Sequence, residues 1–91
     1  FKIQPIHAAA ASGSLKMLRA LLAAGADVNA RQQEGFTPLH TAADRNDAAM
    51  AELLLAHGAD LHAESAKHQT PLALAQARGS HEVASYLQSQ A

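Results

Sequence analysis

Pro5, Pro38 and Pro71 stand 33 residues apart, and they do not repeat alone. Ala9, Ala42 and Ala75 keep the same interval, as do Leu21, Leu54 and Leu87, and Gly25-Ala26-Asp27 returns as Gly58-Ala59-Asp60. A fixed period of this size marks a solenoid, built from stacked copies of one small unit. A short solenoid is mostly surface, so the first functional question is what it grips. Laid on one another without a gap, residues 4–36 and 37–69 also agree at His7/His40, Met17/Met50, Leu22/Leu55 and Ala30/Ala63. The third copy, 70–91, keeps Thr70, Pro71, Leu72, Ala75, Arg78 and Leu87 in step with the second, then ends before a third Gly-Ala-Asp. The repeats are expected at about 4–36, 37–69 and 70–91, the last truncated, within one domain spanning 1–91.

Composition narrows the chemistry. With 48% apolar residues but only two Phe and one Tyr, the core must be built from Ala, Leu, Met and Val, which suits close stacking of helices. There is no cysteine, so no disulfide framework and no thiolate metal site. Seven basic against eight acidic residues carry no nucleic-acid footprint. No apolar run reaches the length of a membrane span, and no signal-peptide pattern is read, so the expectation is no membrane insertion, with the compartment open. The start at Phe1 in place of Met reads as a processed or excised product.

Each copy reads as a turn and two short helices. In the second, Thr37 is placed to cap a helix over about 38–45, with Pro38 at its first position, where a missing N–H costs nothing. Asn46 suits the left-handed residue that ends it, and Asp47 caps a second helix over about 48–57 carrying Met50, Leu53, Leu54 and Leu55. Gly58 follows as its terminator. The first copy repeats the plan with Gly13, Ser14, the stripe Leu15, Leu18, Leu21 and Leu22, and Gly25. The third uses Gly79, Ser80, Val83, Tyr86 and Leu87. Helices this short are marginal alone, so stacking must hold the fold.

These residues resemble the ankyrin repeat. The family pattern Gly-x-Thr-Pro-Leu-His-x-Ala-Ala stands here as Gly35-Phe36-Thr37-Pro38-Leu39-His40-Thr41-Ala42-Ala43, the later Leu-Leu as Leu54-Leu55, and Gly-Ala-Asp-x-Asn-Ala as Gly25-Ala26-Asp27-Val28-Asn29-Ala30. The resemblance covers nearly the whole chain. It implies an all-α solenoid of stacked helix–turn–helix units with hairpin-like loops projecting at right angles, and a noncatalytic protein-binding module. It also departs from the family. Gln4 replaces the capping threonine of the first helix, Ala73 replaces the histidine of the third copy, and His62 and His68 stand where the second loop would have asparagine and glycine. The 61–69 loop is therefore expected to be less regular.

By the same resemblance, contacts fall on loop tips and the exposed face of each first helix. The first junction offers Arg31, Gln33, Glu34, Phe36, Asp44 and Arg45; the second Glu64, Ala66, Lys67, Gln69, Ala77 and Arg78; the first copy Ile3, Ala11 and Ser12. Phe36 is the sharpest candidate, because its equivalents are Ile3 and Gln69 and the scaffold does not demand an aromatic. Two readings stand for it: an exposed hot spot beside Asp44 and Arg45, or a ring packed over the neighbouring loop. Two also stand for Arg45 and Arg78: a ladder toward an acidic partner, or solvated arginines paired with Asp44 or Glu64.

The histidines invite catalytic readings that the rest of the sequence does not support. His40 has no positioned nucleophile or orienting acid and by resemblance ties loop to helix, with His7 similar. His57, His62 and His68, with His81 beyond, form a loose group without helical metal-ligand spacing; modest pH sensitivity near 6–7 is expected of it and a metal is not. Gly-x-Ser-x-Gly, phosphate-binding loops and cysteine nucleophiles are missing. The expectation is no enzyme, no cofactor and a monomer that binds a protein partner. The alternative reading is a C-terminal fragment of a longer array acting as a structural or regulatory scaffold, since Ile6 and Ala8–Ala11 have no polar N-terminal cap, whereas Gln88-Ser89-Gln90 resembles a true C-terminal one.

Overall fold

The computed structural model describes residues 4–90. Six α-helices follow one another: α1 (Pro5–Ser12), α2 (Leu15–Ala23), α3 (Pro38–Arg45), α4 (Ala48–Ala56), α5 (Pro71–Arg78) and α6 (His81–Gln90). A single 3-10 turn, Gln33–Gly35, lies between α2 and α3, and no strand occurs among the described residues. The architecture is the expected stack of helix–turn–helix units. Helix α3 sits at its centre, touching α1, α4, α5 and α6.

The local signals set the helix ends. The Thr37, Ser14, Asp47 and Thr70 side chains each accept the backbone N–H three residues on, satisfying a donor the first turn leaves free. Gly13, Asn46 and Gly79 close α1, α3 and α5 in the left-handed conformation. Asn46 has a second task, because its Oδ1 accepts the N–H of Val83 at 3.1 Å and so caps α6 from a neighbouring copy. Gly13 suits its φ of 76°, whereas an added Cβ would meet only the flexible end of the Arg45 side chain, which can shift.

The core follows the repeat. Leu18, Leu39, Met50, Leu54, Val83 and Leu87 are all at most 1% exposed, and Ala9, Ala42 and Ala75 line the seam between α1, α3 and α5. Fully burying a leucine stabilises by about 1.5–3 kcal/mol, which no helix of eight to ten residues obtains without its neighbour. Ile6, Ala9 and Ala10 are buried within the described residues themselves; of the alanine run only Ala8 and Ala11 are exposed.

Two loops project, joining α2 to α3 and α4 to α5. Each closes as a hairpin by the same pair of bonds. Gln32 N–H donates to Phe36 O (3.0 Å) and Gly35 N–H to Gln32 O (2.9 Å); in the second loop Ser65 N–H donates to Gln69 O (3.0 Å) and His68 N–H to Ser65 O (2.8 Å). The expected irregularity of the second loop is corrected here. His68 takes the left-handed conformation at φ 61° and fills the role of Gly35 at φ 78°. Ser65 supports it, its Oγ accepting the N–H groups of Lys67 and Gln69 at 3.3 Å each.

Ala42 is fully buried, so Ala42→Leu has no room at the seam. It is expected to destabilise by about 1–3 kcal/mol. Urea unfolding of the two proteins measures this directly as a lower midpoint at unchanged slope.

Candidate functional site

The first helices and the hairpin loops form one face, and hydrogen bonds between copies hold it rigid. His40 is the main tie. Thr37 donates to its Nδ1 twice, from the backbone N–H at 3.1 Å and from Oγ1 at 2.9 Å. A backbone N–H can only donate, so Nδ1 is the accepting nitrogen and Nε2 carries the proton, which it donates to Gln69 O at 2.7 Å. The ring is 1% exposed and both nitrogens are in use, so it has neither access nor a free lone pair for base catalysis. His7 repeats the arrangement, accepting from Gln4 N–H (3.3 Å) and donating to Ala30 O (2.8 Å).

Arg31 and Asn29 bind one loop to the next. Arg31 Nη1 donates to Gly35 O (3.0 Å) and to Glu64 O (2.6 Å), while Ala66 N–H donates to Glu34 O at 2.8 Å. Asn29 accepts Asp60 N–H (2.7 Å) and donates to Gly58 O (3.2 Å), so the first Asp-x-Asn turn grips the second Gly-Ala-Asp. His62 occupies the equivalent place in the second loop.

A groove of about 160 Å³ opens between α3 and α5, lined by Gln32, Phe36, His40, Thr41, Asp44, Leu74 and Arg78. Phe36 is half-buried, packed on the core with its ring edge-on to His40 (centroids 5.4 Å apart, planes at 74°). It is therefore a wall of the groove, not the projecting ring of the exposed reading. Asp44 stands at the rim with its Oδ1 2.9 Å from Arg78 Nε, both half-exposed. Arg45 does not join them. Its Nη1 donates to Ala11 O at 2.7 Å, one copy back. Position 44 is the equivalent of 11, so both arginines reach for the same place in the preceding copy, one finding a carboxylate and the other a carbonyl.

Of the residues singled out in the sequence, Phe36, Asp44 and Arg78 converge on the groove. Gln33, Glu34, Glu64 and Lys67 are exposed around the loop tips, with Glu64 Oε1 3.1 Å from His68 Nδ1. Gln69 is half-buried, Ala66 and Ala77 are exposed, Ala11 and Ser12 lie on the exposed end of α1, and Ile3 lies outside the described residues. Thr41, Leu74 and Gln32 were missed. Thr41 lies one turn before Asp44 on the same helical face, and its equivalents Ala8 and Leu74 differ from it; that spacing was the available signal. His57 bonds the carbonyl of Leu53 at 3.0 Å, and among the described residues no three His, Asp or Glu side chains gather as a metal site.

A profile of ankyrin repeats matches residues 6–91 in three copies. The chain belongs to the ankyrin-repeat family. The third ankyrin copy has both of its helices, α5 and α6. Comparison with curated proteins finds no match. Ankyrin repeats are generally protein–protein interaction modules and typically noncatalytic.

Burial holds the His40 pKa below its ordinary value; the Gln69 carbonyl partly opposes this and the Arg31 charge adds to it. The unfolded chain therefore takes up this proton first. His40 costs nothing above about pH 7.5, and stability falls as pH drops through about 6.5 toward the lower folded value. His40→Gln is expected to lower stability at pH 7.5 by about 1–3 kcal/mol, by unpairing Thr37 N–H and Gln69 O, and to flatten the pH dependence between 7.5 and 5.5. Urea midpoints across that range test both effects.

Proposed function

We propose that the chain is a noncatalytic, monomeric protein-binding module whose partner seats a side chain in the groove between α3 and α5. The supporting observation is the convergence of Phe36, Asp44 and Arg78, with Thr41, Gln32 and Leu74, on one open concavity. Gln32, Phe36, Thr41, Asp44 and Leu74 stand where the copies differ, whereas Arg78 repeats Arg45. Leu74 and the face of Phe36 supply an apolar floor, and the Asp44–Arg78 pair supplies charges of both signs at the rim. An exposed ion pair of this kind is worth about 0–1 kcal/mol to stability, so exchanging it for partner groups costs little.

Gln33, Glu34, Glu64 and Lys67 at the loop tips extend the contact. Arg31, Arg45 and Gln69 serve it indirectly, by holding loops and helices where the partner meets them. Because those ties are already made, docking orders few new groups, and little affinity is lost to conformational entropy.

Thr41 is half-exposed on the groove wall, so Thr41→Arg fills the groove without opening the core. Glu52→Lys alters the opposite side of the stack and serves as control. Affinity capture from the native source followed by mass spectrometry is expected to lose its main partner with Thr41→Arg and keep it with Glu52→Lys, both variants melting within about 3 °C of the parent, as surface changes do. Equal capture by all three would sink the assignment of the groove. Phe36→Ala is a poorer probe, because the ring packs against the core and its loss would destabilise the fold.

A further inference from the structure

The two ends of the stack differ, and the repeat supplies its own control for what each end is built to do. Met17, Met50 and Val83 are one repeat position. Met50 and Val83 are completely buried, each having a copy on its N-terminal side, whereas Met17 is 54% exposed, the one large apolar side chain so exposed among the described residues. Its neighbours follow suit. Pro5 is exposed where Pro38 and Pro71 are buried, and Leu21 is half-buried where Leu54 and Leu87 are at most 1% exposed. The surface shared by α1 and α2 is thus the face that, one and two periods later, lies inside the stack.

The opposite end carries no matching face. The position of Ala10 and Ala43, both buried without exposure, becomes the exposed Gln76. The position of Leu22 and Leu55 becomes the exposed Gln88. Burying those amides against Met17 and Leu21 of another copy would leave them without partners. A head-to-tail second copy is therefore a poor cover.

We propose that the α1–α2 face receives the helix pair of a further ankyrin repeat lying N-terminal to Gln4, which presents small and aliphatic residues at the positions of Ala43, Ala51 and Leu55. This rests on the repeat equivalences and not on the groove, so either reading can fail alone.

The test places a copy of residues 37–69 in place of residues 1–3, so that Gln69 leads into Gln4 in unbroken period. The extended chain is expected to melt in one transition, about 5 °C or more above the 91-residue chain, as nearest-neighbour coupling in a solenoid requires. Met17→Arg is the deciding variant. It should shift the 91-residue chain by less than about 2 °C and lower the extended chain by about 5 °C or more, because only there is the charge buried. An indifferent Met17→Arg in the extended chain, or separate melting of the added unit, overturns the proposal. If that fusion does not fold, a copy of residues 4–36 in the same place repeats the test, and failure of both overturns it. Sedimentation of the 91-residue chain covers the remaining occupant: a dimer dissociated by Met17→Arg would assign the face to a second copy and overturn the proposal.

Discussion

Burial between neighbouring copies is the constraint on which everything else here depends. Helices of eight to ten residues have almost no stability in water, and none of these six has another source of it. Each gains its apolar contacts from a helix one period away or from its own antiparallel mate. That requirement explains the alanines at 9, 42 and 75, which let α1, α3 and α5 approach, and the complete burial of Leu39, Met50 and Leu54 in the middle copy. It also explains why the end copies show their stacking positions to solvent or replace them with glutamine.

The loops obey the same rule in polar terms. A projecting loop buries little, so its backbone groups need partners, and the structure finds them in the next copy. Asn29 holds Gly58 and Asp60, Arg31 holds Glu64, Glu34 holds Ala66, and His40 holds Gln69. The face that carries the groove is stiff because these ties cross from copy to copy. Residues that look available for binding in the sequence are thus partly spent on holding it.

Arg31 and Arg45 show why the site was only half legible. Both sit between the repeating positions, as contact residues would, yet each makes backbone bonds across a copy boundary. Nothing in a sequence says which exposed cation has a carbonyl within reach. Phe36 is similar: its difference from Ile3 and Gln69 marks it as special, but only the packing of α3 and its loop shows the ring turned edge-on to His40. Thr41 and Leu74 were missed because the concavity lies between α3 and α5, and a groove belongs to two helices at once. His68 was expected to disturb its loop as a replacement for glycine. It does not, because the left-handed conformation is open to histidine at modest cost and Ser65 supplies two supporting bonds.

The period, the caps and the apolar stripes were determined by the sequence alone: helix ends at Thr37, Asn46, Asp47 and Gly58 follow from which side chains can satisfy or end a turn. Such rules act within a few residues, so they can be read along the chain. What only the tertiary structure decided is which groups meet across a separation of about one period: Asp44 with Arg78, Asn46 with Val83, Arg45 with Ala11. Those meetings depend on how far and at what angle each unit is set against the next. Many packed contacts together fix that rotation, and it is what shapes one groove from positions scattered over three copies.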